Sequence, residues 1–348
     1  MIEKNLPKAK KRFVRQRRGI AVLVIVLIVA AVGACGIGRY PVSLDEVIGI
    51  IGANVFQLPV DWNAVTENTV MNIRLPRVVA AMLIGAALAE AGAVYQGIFH
   101  NPLVSPDLLG VSSGACVGAA AGILLGVGGF GVQALAFFVA LIAVATAIGI
   151  PKLLKDDSIL MLVLAGIVVS GLMTSILGFM KFIADPDGQL ADIVFWTMGS
   201  LNGIDTGDLT LCAPVIVICG IVLFLLRWRI NVLALSDAQA HYLGTDATRM
   251  RGLVIVCATL MTASAVCLSG TIGWVGLVVP HMSRLIVGTD NRFAVPASLC
   301  FGALFVLVAD TLARTLSTMS IPLSILTGIV GAPLFVALLV INRKAVRR

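Results

Sequence analysis

The pentapeptide Gly110-Val111-Ser112-Ser113-Gly114 has the Gly-x-Ser-x-Gly spacing of a hydrolase nucleophile elbow, where a strained turn lifts a serine hydroxyl towards a base. That chemistry needs a strand before the serine and a histidine beside it. Here a proline-bearing loop precedes Ser112 and an apolar run follows it, so capping and close helix packing by small residues explain the pattern. The histidines, His100, His241 and His281, lie in separate segments and form neither a triad nor a ligand set. The seven cysteines fall in or beside apolar stretches, without a Cys-x-x-Cys pair or zinc-finger spacing, so no metal or cofactor is expected. A phosphate-cradling loop ending in Gly-Lys-Ser/Thr is excluded, because the dipeptide Gly-Lys does not occur. Any ATP hydrolysis coupled to this chain then belongs to another subunit. Two acids embedded in apolar runs remain, Glu90 and Asp310, and such acids are costly unless they serve a purpose. Asp310 stands one helical turn before Arg314, which predicts an i,i+4 ion pair. Glu90 lies among Ala and Gly, where it faces a water-filled path or pairs with a neighbour that the sequence does not reveal.

Only membrane helices can position these groups. Of the 348 residues, 59% are hydrophobic and 12% charged, whereas a soluble domain carries roughly a quarter charged residues. Backbone in lipid must satisfy its own hydrogen bonds, so apolar runs of about 20 residues mean helices. Ten are predicted, over 20–38, 71–97, 108–126, 131–150, 158–182, 207–226, 250–269, 272–288, 293–313 and 322–341. The first follows a basic run, but its length and the lack of an Ala-x-Ala cleavage pattern make it a retained span and not a signal peptide. Of the 25 Lys and Arg residues, only Arg39, Arg74, Arg77, Lys181 and Arg314 fall outside when the N-terminus is placed in the cytoplasm. Short cytoplasmic loops retain basic residues, so both termini are cytoplasmic. The net charge of +7 then reflects anionic lipid at the inner surface and not nucleic acid. The outer segments 42–54 and 192–201 have apolar residues at helical spacing and read as short interfacial helices.

The organisation is an all-α polytopic membrane protein with a basic cytoplasmic tail over 1–19, one membrane domain over 20–341, and a second basic tail over 342–348. Ser158 to Leu172 and Ser320 to Leu334 share seven of fifteen residues while running in opposite directions, the relation of an inverted repeat of helices 2–5 and 7–10. The longest cytoplasmic loop, 227–251, contains an apolar pattern from Val232 to Gly244 with Ser236-Asp237 as a helix cap and Gly244 as a stop. A short amphipathic helix of this kind buries its apolar face against a protein partner or lies on lipid; the residues alone fit both.

The chain resembles the permeases of type II ATP-binding-cassette importers, the FecCD-like group that moves iron-siderophores, haem and vitamin B12. The resemblance rests on Arg74-Leu-Pro-Arg77, Gly85-Ala-Ala-Leu-Ala with Gly92 and Gln96, and Asn101-Pro-Leu103 with Leu108-Leu-Gly-Val-Ser112. It continues through Trp196-Thr-Met-Gly-Ser200, Gly276-Leu-Val-Val-Pro-His281, Ala309-Asp310 to Arg314, and Gly331-Ala-Pro-Leu-Phe335. It implies ten helices per subunit and a path between two permease subunits, identical or closely paralogous. Two ATPases dock inside and a substrate-binding protein docks outside. It further implies that Ala234, Leu235, Leu243 and Gly244 belong to the element receiving the ATPase, and that Leu103, Ile159 and Leu160 form an apolar cytoplasmic gate. Arg74, Arg77 and Arg314 would receive acids on the two lobes of the binding protein. Glu90 stands where the family usually has an apolar residue. Two rival classes follow from the residues alone: a secondary transporter using Glu90 or Asp310 as a proton relay, and an intramembrane hydrolase on Ser112.

Overall fold

The computed structural model describes residues 6–38, 40–56, 62–156, 158–233, 235, 237–317 and 320–346, and among them there is no strand. The chain opens with α1 (Leu6–Gly36), which carries the basic tail and the first span in one helix. The helix α2 (Leu44–Phe56), over most of the segment 42–54 expected to be helical, begins where Glu46 accepts hydrogen bonds from the Ser43 N–H and hydroxyl at 3.0 and 2.9 Å, and it buries Val47 and Ile50. The second span runs without a break through α3 (Ala64–Asn68), a π turn (Thr69–Arg74) and α4 (Leu75–Ile98).

A 3-10 turn (Pro106–Leu109) leads through Gly110, in the left-handed region at φ 82, into α5 (Val111–Leu124). Then come α6 (Gly129–Leu154), α7 (Ile159–Ile183) and the outer helix α8 (Gln189–Met198). The chain returns through α9 (Thr206–Leu233), the short α10 (Asp237–Tyr242) and α11 (Ala247–Ser269). It ends with α12 (Val275–Val287), α13 (Asn291–Thr315) and α14 (Leu323–Val346).

Among the described residues, eight helices are long and apolar enough to cross a membrane. The segments predicted as the third and eighth spans contain α5 and α12, of 14 and 13 residues. At 1.5 Å per residue these cover about 20 Å, short of the ~30 Å hydrocarbon layer. Irregular backbone makes up the rest, tolerated at that depth because protein surrounds it. The order long, short, long, long thus appears in 64–183 and again in 247–346, in the two halves that the sequence repeat relates.

The second span, α11 and α13 form the centre, with 78%, 78% and 72% of their apolar windows buried. Most residues on these helices are apolar or small on every face, because nearly every face meets protein. Gly85 and Gly302 set the closest approach of α4 and α13: a Cβ on Gly85 would stand 2.1 Å from the Gly302 carbonyl oxygen. Backbones that touch in this way give the small-residue packing of membrane helices.

Candidate functional site

Three places bring together the residues singled out above: the outer mouth, the interior beside α4, and the inner surface. At the outer mouth the π turn advances Arg74 towards the end of α1, where its Nη1 donates to the carbonyls of Cys35 and Gly36 at 2.7 and 2.9 Å and its Nη2 to that of Tyr40. The guanidinium thereby satisfies the last carbonyls of α1 and meets the negative end of its dipole. Arg74 is 5% exposed. Gly38 leaves it room, since a Cβ there would lie 2.6 Å from Nη2.

Arg77 makes a forked pair with Asp310: its Nε lies 2.9 and 3.0 Å from the two carboxylate oxygens and its Nη2 2.8 Å from Oδ1. Its Nη1 donates to Asn202 at 2.7 Å. Arg314 stands on the other side of Asp310 at 3.9 Å and donates to the carbonyl of Ala34. The i,i+4 pair expected from sequence is therefore present, but the shorter partner of Asp310 is Arg77, on a different helix. Asp310 itself is 0% exposed. All three arginines line one open cleft of about 820 Å³, and with a single carboxylate among them the cleft floor holds an excess of positive charge.

In the interior, Glu90 is 1% exposed. Its Oε2 lies 3.2 Å from where a Gly220 Cβ would stand, beside the Met261 sulfur, so the side chain sits where α4, α9 and α11 meet. Its Oε1 has no hydrogen-bond partner among the described residues. One turn and a half further along α4, Gln96 donates to the carbonyls of Val104 and Leu277 at 3.2 and 3.1 Å. Arg284 in turn donates to Gln96 Oε1 and, at 2.9 Å, to the carbonyl of Ala93. This strut ties the Asn-Pro-Leu loop to α12. Sequence reading gave Gln96 only as a landmark and missed Arg284, whose spacing from Gln96 carries no local signal.

At the inner surface, Asn101 accepts the Leu103 N–H at 2.9 Å and leaves the Leu103 side chain exposed. Ser158 caps α7 by accepting the Met161 N–H at 3.2 Å, and Leu160 is exposed while Ile159 packs partly against the core. The N–H of Ser158 also holds the Asp156 carboxyl below its ordinary range. Beyond α9, Ala240 anchors α10 to the core. Thr245 N–H bonds back to Ala240 at 3.0 Å over Gly244 at φ 72, the closing bond of a glycine-stopped helix. This fold leaves Leu235, Tyr242 and Leu243 exposed, Tyr242 at 89%. Ala234 and Ser236 lie outside the described residues.

Ser112 does not carry hydrolase geometry. Its hydroxyl donates to the Asp107 carboxylate across the turn, and the element before it is a 3-10 turn where the nucleophile elbow needs a strand. Among the described residues no group of three or more His, Cys, Asp or Glu is placed to hold a metal ion.

A bundle of apolar helices, eight of them long enough to cross a membrane, in two halves of the same element order, with exposed apolar side chains around a short helix between the halves, is the architecture of a multi-pass membrane permease. The model of the FecCD transport family matches residues 20–341, and the chain belongs to that family. It is 37% identical to the molybdate import system permease protein MolB of Haemophilus influenzae, over 90% of this chain and 92% of that one. It is 34% identical to the hemin transport system permease protein HmuU of Yersinia pestis, over 96% and 98%. A solved structure described as an inward-facing metal-chelate type ABC transporter superposes with a TM-score of 0.83 at 35% identity, covering 93% of this chain and 99% of that chain.

Proposed function

We propose that this permease forms, with a second copy or a close paralogue, the path by which an iron-siderophore or related metal chelate enters the cytoplasm. The likeness to the metal-chelate type transporter over 93% of the chain carries the reading. Two separate ATPase subunits supply the energy, an extracytoplasmic binding protein delivers the cargo, and this chain hydrolyses nothing. The permease unit is 20–341, with the basic segments 1–19 and 342–348 on the cytoplasmic side. Haem or cobalamin is the nearest alternative cargo, supported for haem by the relative in Yersinia pestis. A small hydrated oxyanion such as molybdate fits less well, because the exposed face of α7 runs through Leu160, Leu164, Val168 and Leu172 without a charge. Such a surface suits a bulky complex with an apolar exterior, and Leu103, Ile159 and Leu160 close it to water and ions.

In this reading Leu235 and Leu243 bury against the ATPase, with Ala234 and Gly244 shaping the loop around them. Leu235→Asp with Leu243→Asp is expected to abolish copurification of the ATPase and its stimulation by loaded binding protein, while the permease itself purifies normally. Wild-type levels of both would show that the coupling element lies elsewhere.

Arg74, Arg77 and Arg314 receive acidic residues of the binding protein through the excess charge of the outer cleft. Because Arg74 and Arg314 also hold the end of α1, the variants that test docking are Arg74→Gln and Arg314→Gln, which keep a donor. The arginines are largely buried and bonded within the chain, so they act on the partner through the field of the cleft. Each such charge contributes no more than an exposed ion pair, about 0–1 kcal/mol, but together they steer and register a partner. The double variant should raise the binding-protein concentration for half-maximal ATPase stimulation about tenfold at low salt. An unchanged value, with normal folding, would remove these arginines from the docking surface.

A further inference from the structure

The inner end of the bundle carries a second feature that transport does not use. A groove of about 590 Å³ lies between α1, α9 and α13, walled by Ile20, Val24, Phe224, Pro296 and Leu299, with Arg17, Arg227 and Arg292 among its lining residues. From Arg17 to Val24 on α1 and from Arg292 to Cys300 on α13 the groove descends about 10–12 Å at 1.5 Å per residue. Its depth therefore lies within the hydrocarbon layer, and the basic-inside distribution places the arginines at the cytoplasmic headgroups.

The three guanidinium groups are not equivalent. Arg292 is bound to Asp290 at 2.6 and 2.8 Å and lies 4.9 Å from the Trp228 ring centroid. Arg17 and Arg227 have no carboxylate partner among the described residues. Each is held instead over a ring of its own helix, Arg17 at 5.4 Å from the Phe13 centroid and Arg227 at 4.0 Å from that of Phe224. Arg227 spends Nη1 on its own helix, donating to the Phe224 carbonyl at 2.5 Å, which leaves its remaining N–H groups and the planar fork of Arg17 to pair with a phosphate. Two uncompensated positive charges thus stand above an apolar slot that opens along the spans.

We infer that this groove binds one anionic phospholipid of the cytoplasmic leaflet, its phosphate on Arg17 and Arg227 and an acyl chain against Ile20, Val24 and Leu299. An acidic protein segment would match the charge, but it would have to follow the slot below the headgroups, where its backbone could not be satisfied. A zwitterionic lipid brings its own cation beside the arginines and forfeits most of the attraction. The bound lipid joins α1, only 11% of whose apolar window is buried, to α9 and α13. The inference is independent of the cargo.

The test is native mass spectrometry of the purified permease titrated with phosphatidylglycerol and phosphatidylcholine of matched acyl chains. One phosphatidylglycerol per chain should bind about 25-fold more tightly than phosphatidylcholine, roughly fivefold for each arginine near the surface. Arg17→Gln should lower that preference about fivefold, and Arg17→Gln with Arg227→Gln should bring the two lipids to parity. Leu299→Trp, which fills the slot, should weaken both. Thermal unfolding without added lipid should be the same for wild type and Arg17→Gln, whose side chain is exposed in the N-terminal part of α1. Equal binding of the two lipids by the wild type, or an undiminished preference in Arg17→Gln, would overturn the inference. So would stabilisation by inorganic phosphate equal to that by phosphatidylglycerol, which would assign the arginines to free phosphate.

Discussion

Asp310→Ala is expected to destabilise the permease by about 3–5 kcal/mol, because it leaves the charge of Arg77 uncompensated inside the bundle. The carboxylate is fully buried and meets three Arg77 contacts of 2.8–3.0 Å, with Arg314 beyond. Its removal strips both arginines of their counter-charge at the junction of α4, α13 and the end of α1. Unfolding of the purified protein in mild detergent should move to markedly lower denaturant or temperature, and little monodisperse protein should be recovered. A second substitution separates cause from effect. Replacing a buried pair by apolar residues of similar volume is often neutral, whereas removing one partner is not. Arg77→Met with Asp310→Leu should therefore recover most of the lost stability. If Asp310→Ala unfolds within about 1 kcal/mol of wild type, the pair does not hold the helices together.

Gly85→Val should be comparably damaging, for a steric reason. The Gly302 carbonyl oxygen would stand 2.1 Å from a Cβ at position 85, and the Val306 Cβ 2.9 Å from it. No rotamer relieves a clash with backbone, so α4 and α13 must separate. Overpacking typically costs 1–3 kcal/mol and sometimes more, and here the separation also strains Arg77–Asp310, which joins the same two helices. Gly85→Ala should lie between valine and wild type, and Gly302→Ala, facing the Gly85 carbonyl at 2.2 Å, should resemble it. The series is read by melting in detergent. A neutral Gly85→Ala would mean that the helices are not in backbone contact.

The sequence made the order of the helices legible because lipid leaves few choices: a run of about 20 apolar residues must be a helix. It did not show that the helices of the third and eighth segments, α5 and α12, stop at 14 and 13 residues with turns completing the crossing, since hydropathy is the same for an apolar helix and an apolar loop buried in protein. Nor did it show the π turn at Thr69–Arg74 or the polar start of that span at Ala64, whose residues project beyond the hydrocarbon. The short helix Asp237–Tyr242 was legible from its glycine stop at Gly244, because that signal is local. The partners of the charged residues were legible only within one helix. Arg314 lies four residues from Asp310 and was found; Arg77 lies 233 residues away and was not. The same holds for Gln96 with Arg284, and for the end of α1, which takes its cap from Arg74 and Arg314.

The most direct measurement is uptake of a radiolabelled ferric chelate into proteoliposomes holding the permease with its ATPase and binding protein, for wild type and Glu90→Gln. The proposed mechanism predicts uptake that requires ATP inside and the binding protein outside, that ignores an imposed proton gradient, and that survives Glu90→Gln. Neutralising Glu90 removes a buried carboxylate whose Oε1 has no hydrogen-bond partner among the described residues, so folding should hold or improve. Uptake driven by a proton gradient without the ATPase, and lost in a well-folded Glu90→Gln, would contradict it.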